Sequence, residues 1–485
     1  MSVVDEILLW FNIIVLFYFL AINSSYLVFV IISAFEVPSE YRRAPLRGYQ
    51  ESSTSPLWPG ISLVVAAYNE EAGIVDSVRS MLELEYPTFE VVVVEDGSKD
   101  ETFARLAEEF DLREVPVVVE SYVPTIGQVK SVHVPRGGEN LVVVRKENAG
   151  RRADASNVGI NIARHELVSI VDADCVMDRD GLLRVAQPFV NDPEHVVATG
   201  GVIRVANGCE IDRGELIATG MPDKWLPRIQ VVEYLRAFLL GRVGWTAING
   251  LLIISGAFGL FRRDIVIESG GFDLDCMGED AELVATIHHR MRNEKRPYRM
   301  MLVPDTVNWT EVPETFKVLG RQRRRWSQGL TELLIKHRRM MFNPRYGRVG
   351  MVVLPYFLLF EVLGPFLELL GLVAVILGLI FGAINIPFAI LFFLVAIGYG
   401  ILVSLASVVI DDVTSETYRG SRNLLLLVAA SILENVGFRQ IHAWWRIRGV
   451  VSGVLGRESS WGTMTRTGLS AKSKSAGPTT AGGGS

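Results

Sequence analysis

The chain of 485 residues is 49% hydrophobic and 21% charged, with a formal net charge of −6 and a mean hydropathy of +0.29. It is too apolar for an ordinary soluble enzyme and too charged for a protein sunk wholly in lipid, and its negative balance gives no footing for nucleic acid. The apolar excess is therefore local, at the two ends, and leaves a globular middle of about 300 residues, enough to bury a substantial core.

Ile7 to Phe35 is nearly uninterrupted apolar sequence, longer than the ~20 residues that span a bilayer. No small-residue cleavage site follows it, so it reads as a retained anchor. Asp5 and Glu6 precede it, whereas Arg42, Arg43 and Arg47 follow. The positive-inside bias then puts the N-terminus outside and the middle in the cytoplasm. A Ser- and Pro-rich linker, Glu51 to Pro59, releases the chain. Cys175, Cys209 and Cys276 are scattered without C-x-x-C spacing and read as reduced thiols on the cytoplasmic side.

Ile61 to Ala67 reads as a buried strand ending in Tyr68-Asn69-Glu70-Glu71, and Ala72 to Leu84 has helical periodicity. Glu90 to Val94 is a second strand, ending in Glu95-Asp96-Gly97-Ser98, with a helix from about Asp100 to Phe110. Strand, polar tip and helix, twice over, is the pattern of a parallel sheet whose sites gather at the carboxyl ends of its strands. No G-x-G-x-x-G follows the first strand, which excludes a Rossmann dehydrogenase. Arg113 to Asn140 reads as an extended loop with short strands. Leu141 to Val144 resumes the sheet, and Asn148 to Asn157 opens a helix.

Leu167 to Val171 then runs into Asp172-Ala173-Asp174. Side chains at i and i+2 of a strand point the same way, so the two carboxylates converge on one cation beside the sheet edge. Oxygen ligands at an open, partly hydrated position suit Mg²⁺ or Mn²⁺, and either ion suits a diphosphate. A D-x-D by itself reads equally as a loop capped by two solvated aspartates.

Ser255-Gly256-Ala257-Phe258-Gly259 sets small residues around one aromatic. Such a run lets backbone approach a ring-shaped ligand closely while Phe258 offers an apolar face, and a packed strand edge has the same composition. Gly278-Glu279-Asp280 precedes an amphipathic helix, Ala281 to Met291, so Asp280 alone reads as an N-cap. A carboxylate at such a position also suits a general base. Gln322, Arg325 and Trp326 share one face of a helix starting near Pro313. Arg323 and Arg324 point elsewhere, toward phospholipid headgroups, as does Lys336-His337-Arg338-Arg339.

Met351 to Phe381 and Ile386 to Ile410 are apolar segments joined by an uncharged outside turn, Gly382 to Asn385. Glu361 and Glu368 are expensive in lipid and are expected to face a protein-lined or hydrated path. Asp411 and Asp412 mark the return to the cytoplasm, with Arg419 and Arg422 agreeing in sign. Asn423 to Leu433 is short and broken by Glu434 and Arg439, which points to a re-entrant or interfacial segment, and Trp444, Trp445, Arg446 and Arg448 have interfacial composition. The tail from Ser470 reads as disordered, and Trp461 to Arg466 is expected to pack on the catalytic face. The boundaries are thus an anchor (1–36), a linker (37–60), a cytoplasmic domain (61–345), membrane and interfacial segments (346–450), a cytoplasmic segment (451–469) and a tail (470–485).

Ala67-Tyr68-Asn69-Glu70, Glu95-Asp96-Gly97-Ser98, Gly150-Arg151-Arg152-Ala153, Asp172-Ala173-Asp174, Gly278-Glu279-Asp280 and Gln322-Arg323-Arg324-Arg325-Trp326 occur in an order that resembles the membrane-bound, processive-type family 2 glycosyltransferases. Cellulose, chitin, hyaluronan and poly-N-acetylglucosamine synthases belong to that group. The resemblance implies an α/β, GT-A type Rossmann-like domain between N- and C-terminal transmembrane helices. It also implies a UDP-sugar donor, Mg²⁺ or Mn²⁺ at Asp172 and Asp174, and inversion with Asp280 as base. By the same resemblance Tyr68, Glu70 and Asp96 hold the nucleoside, Arg151 and Arg152 face the donor phosphates, and Phe258, Glu279, Gln322, Arg325 and Trp326 meet the acceptor. The family usually has Lys after that glycine, so Arg151 is a departure that leaves open a point charge or a bidentate fork. The implied partners are a polysaccharide or glycolipid acceptor, membrane lipids and export or accessory subunits. A non-processive glycolipid-forming enzyme and a non-catalytic export or scaffold subunit are the alternative readings.

Overall fold

The computed structural model describes residues 3–43, 57–212, 214–380, 386–415, 417–418 and 420–456. Most of the linker, the turn at 382–385, Arg419, the Trp461 to Arg466 segment and the tail lie outside the described residues.

The strands among the described residues are β1 (Ile61–Ala67), β2 (Phe89–Glu95), β3 (Leu112–Val115), β4 (Val129–Pro135), β5 (Leu141–Lys146), β6 (Leu167–Asp172), β7 (Val176–Met177), β8 (Val196–Val205), β9 (Glu210–Asp212), β10 (Glu215–Ala218), β11 (Phe258–Arg262) and β12 (Arg299–Thr310). Ten form one sheet in the order β3-β4-β5-β2-β1-β6-β11-β8-β12-β7, and β9 and β10 form a separate hairpin. The apolar runs of β1 and β2 are buried on both faces, as central parallel strands must be. Register aligns their ends: Ala67 stands opposite Glu95 and Ala66 opposite Asp172. The residues that follow β1, β2 and β6 therefore emerge along one edge. Helix Arg152–Ile162 covers β1 at close range, since a Cβ on Gly159 would lie 2.1 Å from a Val64 methyl. Helix Phe316–Lys336 likewise crosses the start of helix Glu279–Asn293 at Gly329, where a Cβ would stand 2.5 Å from the Gly278 nitrogen.

Among the described residues, four helices are long and apolar enough to cross a membrane: Ile13–Glu40, Val349–Gly378, Leu394–Thr414 and Ser421–Val454. The last is two helices, Ser421–Leu433 and Arg439–Val454, meeting at a kink where Val436 and Gly437 leave helical geometry. The expected break after Leu433 is thus present. The second half lies along helix Phe316–Lys336, where a Cβ on Gly449 would meet the Arg324 carbonyl at 2.3 Å.

The headgroup expectation is corrected for Arg323, Arg324, Lys336 and His337, while Arg338 and Arg339 stay exposed. Arg323 is buried against Glu233 at 2.7 Å, and Arg324 donates to the Ser452 hydroxyl at 3.0 Å. Lys336 pairs with Glu282 at 2.6 Å, and His337 is buried beside the same carboxylate. The cause is two acids and a second helix that sequence spacing does not reveal. Glu361 and Glu368 face protein, paired with Arg446 at 2.6 Å and Arg439 at 2.7 Å.

Arg204, on β8, joins the sheet to helix Tyr399–Thr414 through Asp411 at 2.6 Å, with both side chains buried. Removing one partner of a buried pair strands the other charge at about 3–5 kcal/mol. Asp411→Ala is therefore expected to lower the unfolding midpoint of the detergent-solubilised protein sharply, and an unchanged midpoint would show that the pair contributes nothing.

Candidate active site

Tyr68 follows β1 and is 41% exposed. The Glu70 N–H donates to the Thr102 hydroxyl at 2.9 Å, pinning the turn beneath it. Asp96 follows β2 and is buried in a network that motif reading missed: Lys146 donates to its carboxylate and also pairs with buried Asp154 at 2.7 Å, and Asn148 donates at 3.1 Å. Burial, against the opposing pull of Lys146, pushes the Asp96 carboxyl up to about 6. The signal available in sequence was Lys146 itself, a charge on an inward position at the end of a valine run.

Arg151 and Arg152 diverge. Arg151 turns to the Leu274 carbonyl and the Asp275 carboxylate. Arg152 turns inward and bonds three groups: Asp172 Oδ1 at 2.7 Å, Glu279 Oε1 at 3.1 Å and the Gly256 carbonyl at 2.6 Å. Burial alone would lower its pKa, but Asp172 and Glu279 raise it, so the guanidinium stays charged. Burial pushes the Glu279 carboxyl up, with Arg152 opposing.

Asp280 lies in the first turn of its helix, whose N-cap is Gly278. The N-cap reading of Asp280 is corrected accordingly. Its Oδ2 accepts from the Gly256 N–H and its Oδ1 from the Ala281 N–H, each at 2.8 Å. A Cβ on Gly256 would stand 3.1 Å from the Asp280 carboxylate and 3.2 Å from the Arg152 guanidinium, so glycine lets both groups close on one strand-edge backbone. Phe258 also departs from expectation. It is 0% exposed at the start of β11 and offers no face to a sugar ring, because β11 is a central strand, paired on both sides and covered on both faces.

Gln322 and Arg325 lie on one face of helix Phe316–Lys336, and Gln322 Oε1 is buried with no hydrogen-bond partner among the described residues. Burial lowers the Arg325 pKa, against the pull of Glu279 and Asp172. Trp326 is 43% exposed, and the Arg323 guanidinium sits 4.4 Å from its ring centre.

β6 ends at Asp172, and Asp174 sits in the turn after it. The two carboxylates converge through that turn and not through strand alternation as expected. Their oxygens and the Cys175 sulfur lie within 4.8 Å of one another, the one such grouping among the described residues. Two partly exposed carboxylates and one sulfur fit a divalent cation.

The central parallel strands of a mixed sheet thus deliver two acids and an Arg–Glu–Asp network to their carboxyl ends, the place where α/β proteins gather their sites. The chain belongs to the glycosyltransferase-like family 2, which matches residues 59–329. Its fold is accordingly the mixed α/β, GT-A type expected, and the free thiols of Cys175, Cys209 and Cys276 agree with their reading as reduced. It is similar to poly-β-1,6-N-acetyl-D-glucosamine synthase of Staphylococcus aureus (strain COL), 30% identical over 279 residues, covering 57% of this chain and 56% of that one. The same enzyme of Staphylococcus epidermidis matches with the same identity and coverage. The chain thus spans about half the length of the curated relatives it matches. Among solved structures, a mannosyltransferase of Pyrobaculum calidifontis in complex with GDP-Man and Mn²⁺ aligns at 17% identity and TM-score 0.45, covering 89% of this chain and 100% of that one.

Proposed function

We propose that the chain transfers a sugar of the glucose or N-acetylglucosamine class, with inversion, from a UDP-sugar to a growing polysaccharide or lipid-linked acceptor. Transfer takes place at the cytoplasmic face of a membrane crossed by the apolar helices. The observation that carries this reading is the Asp280 carboxylate, held by the Gly256 N–H beside the Arg152–Asp172–Glu279 network. A carboxylate fixed in position, with neighbouring charges that stop it from wandering, suits a general base for an acceptor hydroxyl. Tyr68 offers the uracil a ring face, and Asp96 accepts its N–H. Arg152 and Arg325 supply positive charge to the diphosphate, Glu279 orients Arg152, and Gln322 and Trp326 receive the acceptor. Asp172 and Asp174 would hold Mg²⁺ or Mn²⁺, which when bound neutralises the departing diphosphate. The kinship with poly-N-acetylglucosamine synthases favours UDP-N-acetylglucosamine as the first donor to try.

The test is to incubate membranes containing the protein with labelled UDP-sugars, measuring UDP release and product size together. Long product supports the polymer reading, and a single added sugar in the lipid fraction supports glycolipid synthesis. No UDP release from any donor would leave a non-catalytic membrane subunit.

Asp96 makes the donor step pH-dependent. Its carboxyl is raised to about 6, so it takes up a proton as pH falls through that value, and a neutral acid accepts the uracil N–H poorly. The donor KM is expected to rise on the acid side of about 6 in the wild type. In Asp96→Asn it is expected to be high and flat with pH. A wild-type KM that is itself flat across that range would remove Asp96 from the donor site.

A further inference from the structure

Arg242 ends the helical stretch Arg236–Arg242, and the chain runs on into helix Val243–Ala247. Its Nη1 is sealed from solvent and has no hydrogen-bond partner among the described residues. Phe238, one turn back, lies under the guanidinium at 3.7 Å from the ring centre. The ordinary role of an arginine where a catalytic domain meets apolar helices is an ion pair, and its neighbours follow that rule. Arg204, Arg236, Arg323, Arg439 and Arg446 each hold a carboxylate at 2.5–2.7 Å. Arg242 holds none among the described residues. Burial keeps its pKa below the usual arginine range, with the Asp280 carboxylate the stronger of two opposing pulls and the Tyr234 phenol the other. An arginine does not give up its proton to escape burial. The charge therefore stays, and a charge out of water is costly without a counter-ion.

A Cβ on Gly244 would stand 2.2 Å from the Phe29 ring, and Trp245 meets Phe29 and Tyr356 with ring centres 5.0 and 4.9 Å apart. Phe29 and Tyr356 belong to two of the helices apolar enough to cross a membrane, Ile13–Glu40 and Val349–Gly378. Two residues past Arg242 the chain is thus already seated on apolar helices, while the guanidinium feels the carboxylate of the proposed base. We propose that Arg242 binds the phosphate of a lipid-linked acceptor, whose hydrocarbon tail runs beside the apolar helices and whose head presents a hydroxyl to Asp280. The proposal rests on the reading that Asp280 is the base of a sugar transfer. A guanidinium meets a phosphate with two parallel hydrogen bonds, and the anion supplies the counter-charge that the fold does not. In the transfer, the acceptor hydroxyl oxygen bonds to the anomeric carbon and its proton passes to Asp280. The bond from that carbon to UDP breaks, and its electron pair leaves on the diphosphate. Arg242 takes no part in that exchange and acts only in holding the acceptor. A neutral glycan end carries no group that answers a buried cation, so the acceptor class narrows to a lipid phosphate.

The experiment uses the full chain in uncharged detergent micelles, immobilised on scintillant beads, with tritiated farnesyl phosphate as probe and farnesol or inorganic phosphate as competitor. The wild type is expected to hold farnesyl phosphate on the order of 10- to 100-fold more tightly than farnesol. Inorganic phosphate at the same concentration is expected to displace little of the probe. Arg242→Met keeps the apolar stem and is expected to bind both lipids alike, Arg242→Lys to recover part of the preference, and UDP affinity to stay the same in both. A wild type without preference for the phosphate overturns the proposal, and so does full displacement by inorganic phosphate, which marks a site for a free anion. A preference that persists in Arg242→Met overturns it as well, because the phosphate then binds elsewhere. A UDP affinity that falls in Arg242→Met assigns the arginine to the donor and has the same effect. If Arg242→Met does not fold, Arg242→Lys and the wild-type comparison decide. UDP release from labelled UDP-sugars, measured on the same preparation, keeps the two readings apart. Release without lipid-phosphate preference sinks this proposal alone, whereas no release from any donor sinks the transfer reading and the acceptor role with it.

Discussion

Asp280→Asn is expected to abolish sugar transfer while leaving donor binding nearly unchanged. The amide preserves the shape of the side chain but cannot take a proton, so the loss should reach the ~10²–10⁴-fold attributed to general base catalysis. The carboxylate accepts from both the Gly256 and Ala281 N–H groups. An amide has one oxygen and can satisfy only one of them. A secondary cost of about 0.5–1.5 kcal/mol in stability follows from the lost hydrogen bond, too little to explain inactivity. UDP release and calorimetric donor binding, measured on one preparation, separate the two effects. Turnover near the wild-type rate would mean that the base lies elsewhere.

The second large effect is expected at Arg152, whose guanidinium links Asp172, Glu279 and the Gly256 carbonyl. Asp172 is partly exposed, so its share of the attraction is screened. The Glu279 pair is buried on both sides, and breaking it should cost about 3–5 kcal/mol. Arg152→Ala should also inactivate the enzyme, since it removes charge from the diphosphate site and frees the backbone next to Asp280. The sign of the pH effect follows from Glu279, whose folded-state carboxyl is already raised above its ordinary value of 4.5 by burial. Without Arg152 it rises further. A carboxyl raised in the folded state favours folding at low pH and loses that contribution as pH rises through its folded value. The variant should therefore lie nearest to wild type in acid and fall further behind as pH rises. Arg152→Lys keeps the charge but not the fork, and should recover part of the stability and less of the activity. Thermal unfolding across pH checks both variants, and equal stability of Arg152→Ala and wild type at every pH would show that the network is not structural.

Much of this was legible in the sequence because it depends on local pattern. Val91 to Val94 reads as a buried strand since nothing else accommodates a β-branched run between polar tips, and it is one. Parallel pairing brings the residues after β1, β2 and β6 to one edge, so their order in the chain was enough to group them. The shared face of Gln322 and Arg325 was readable for the same local reason, helix geometry at fixed spacing.

What pattern could not supply was the partner of each charge, because pairing across a fold depends on three-dimensional approach and not on spacing. Arg151 and Arg152 are neighbours of one type, yet the first turn of their helix sends one out to Asp275 and the other in to Asp172 and Glu279. Arg323 and Lys336 looked like headgroup contacts until Glu233 and Glu282 came alongside. Lys146 and Asp154 met beneath Asp96 only once β5 paired with β2 and helix Arg152–Ile162 docked behind them. Phe258 was sealed in the core because β11 pairs with a strand on each side and is covered on both faces, which composition leaves undetermined. By itself the sequence determined the strands and helices up to β6, their order and the acids at their tips, and left the stretch of β8 to β10 and helix Trp225–Leu235 unread. Only the tertiary structure decided which charges face each other, since burial makes an unpaired charge so costly that each one must find its partner wherever the fold brings it.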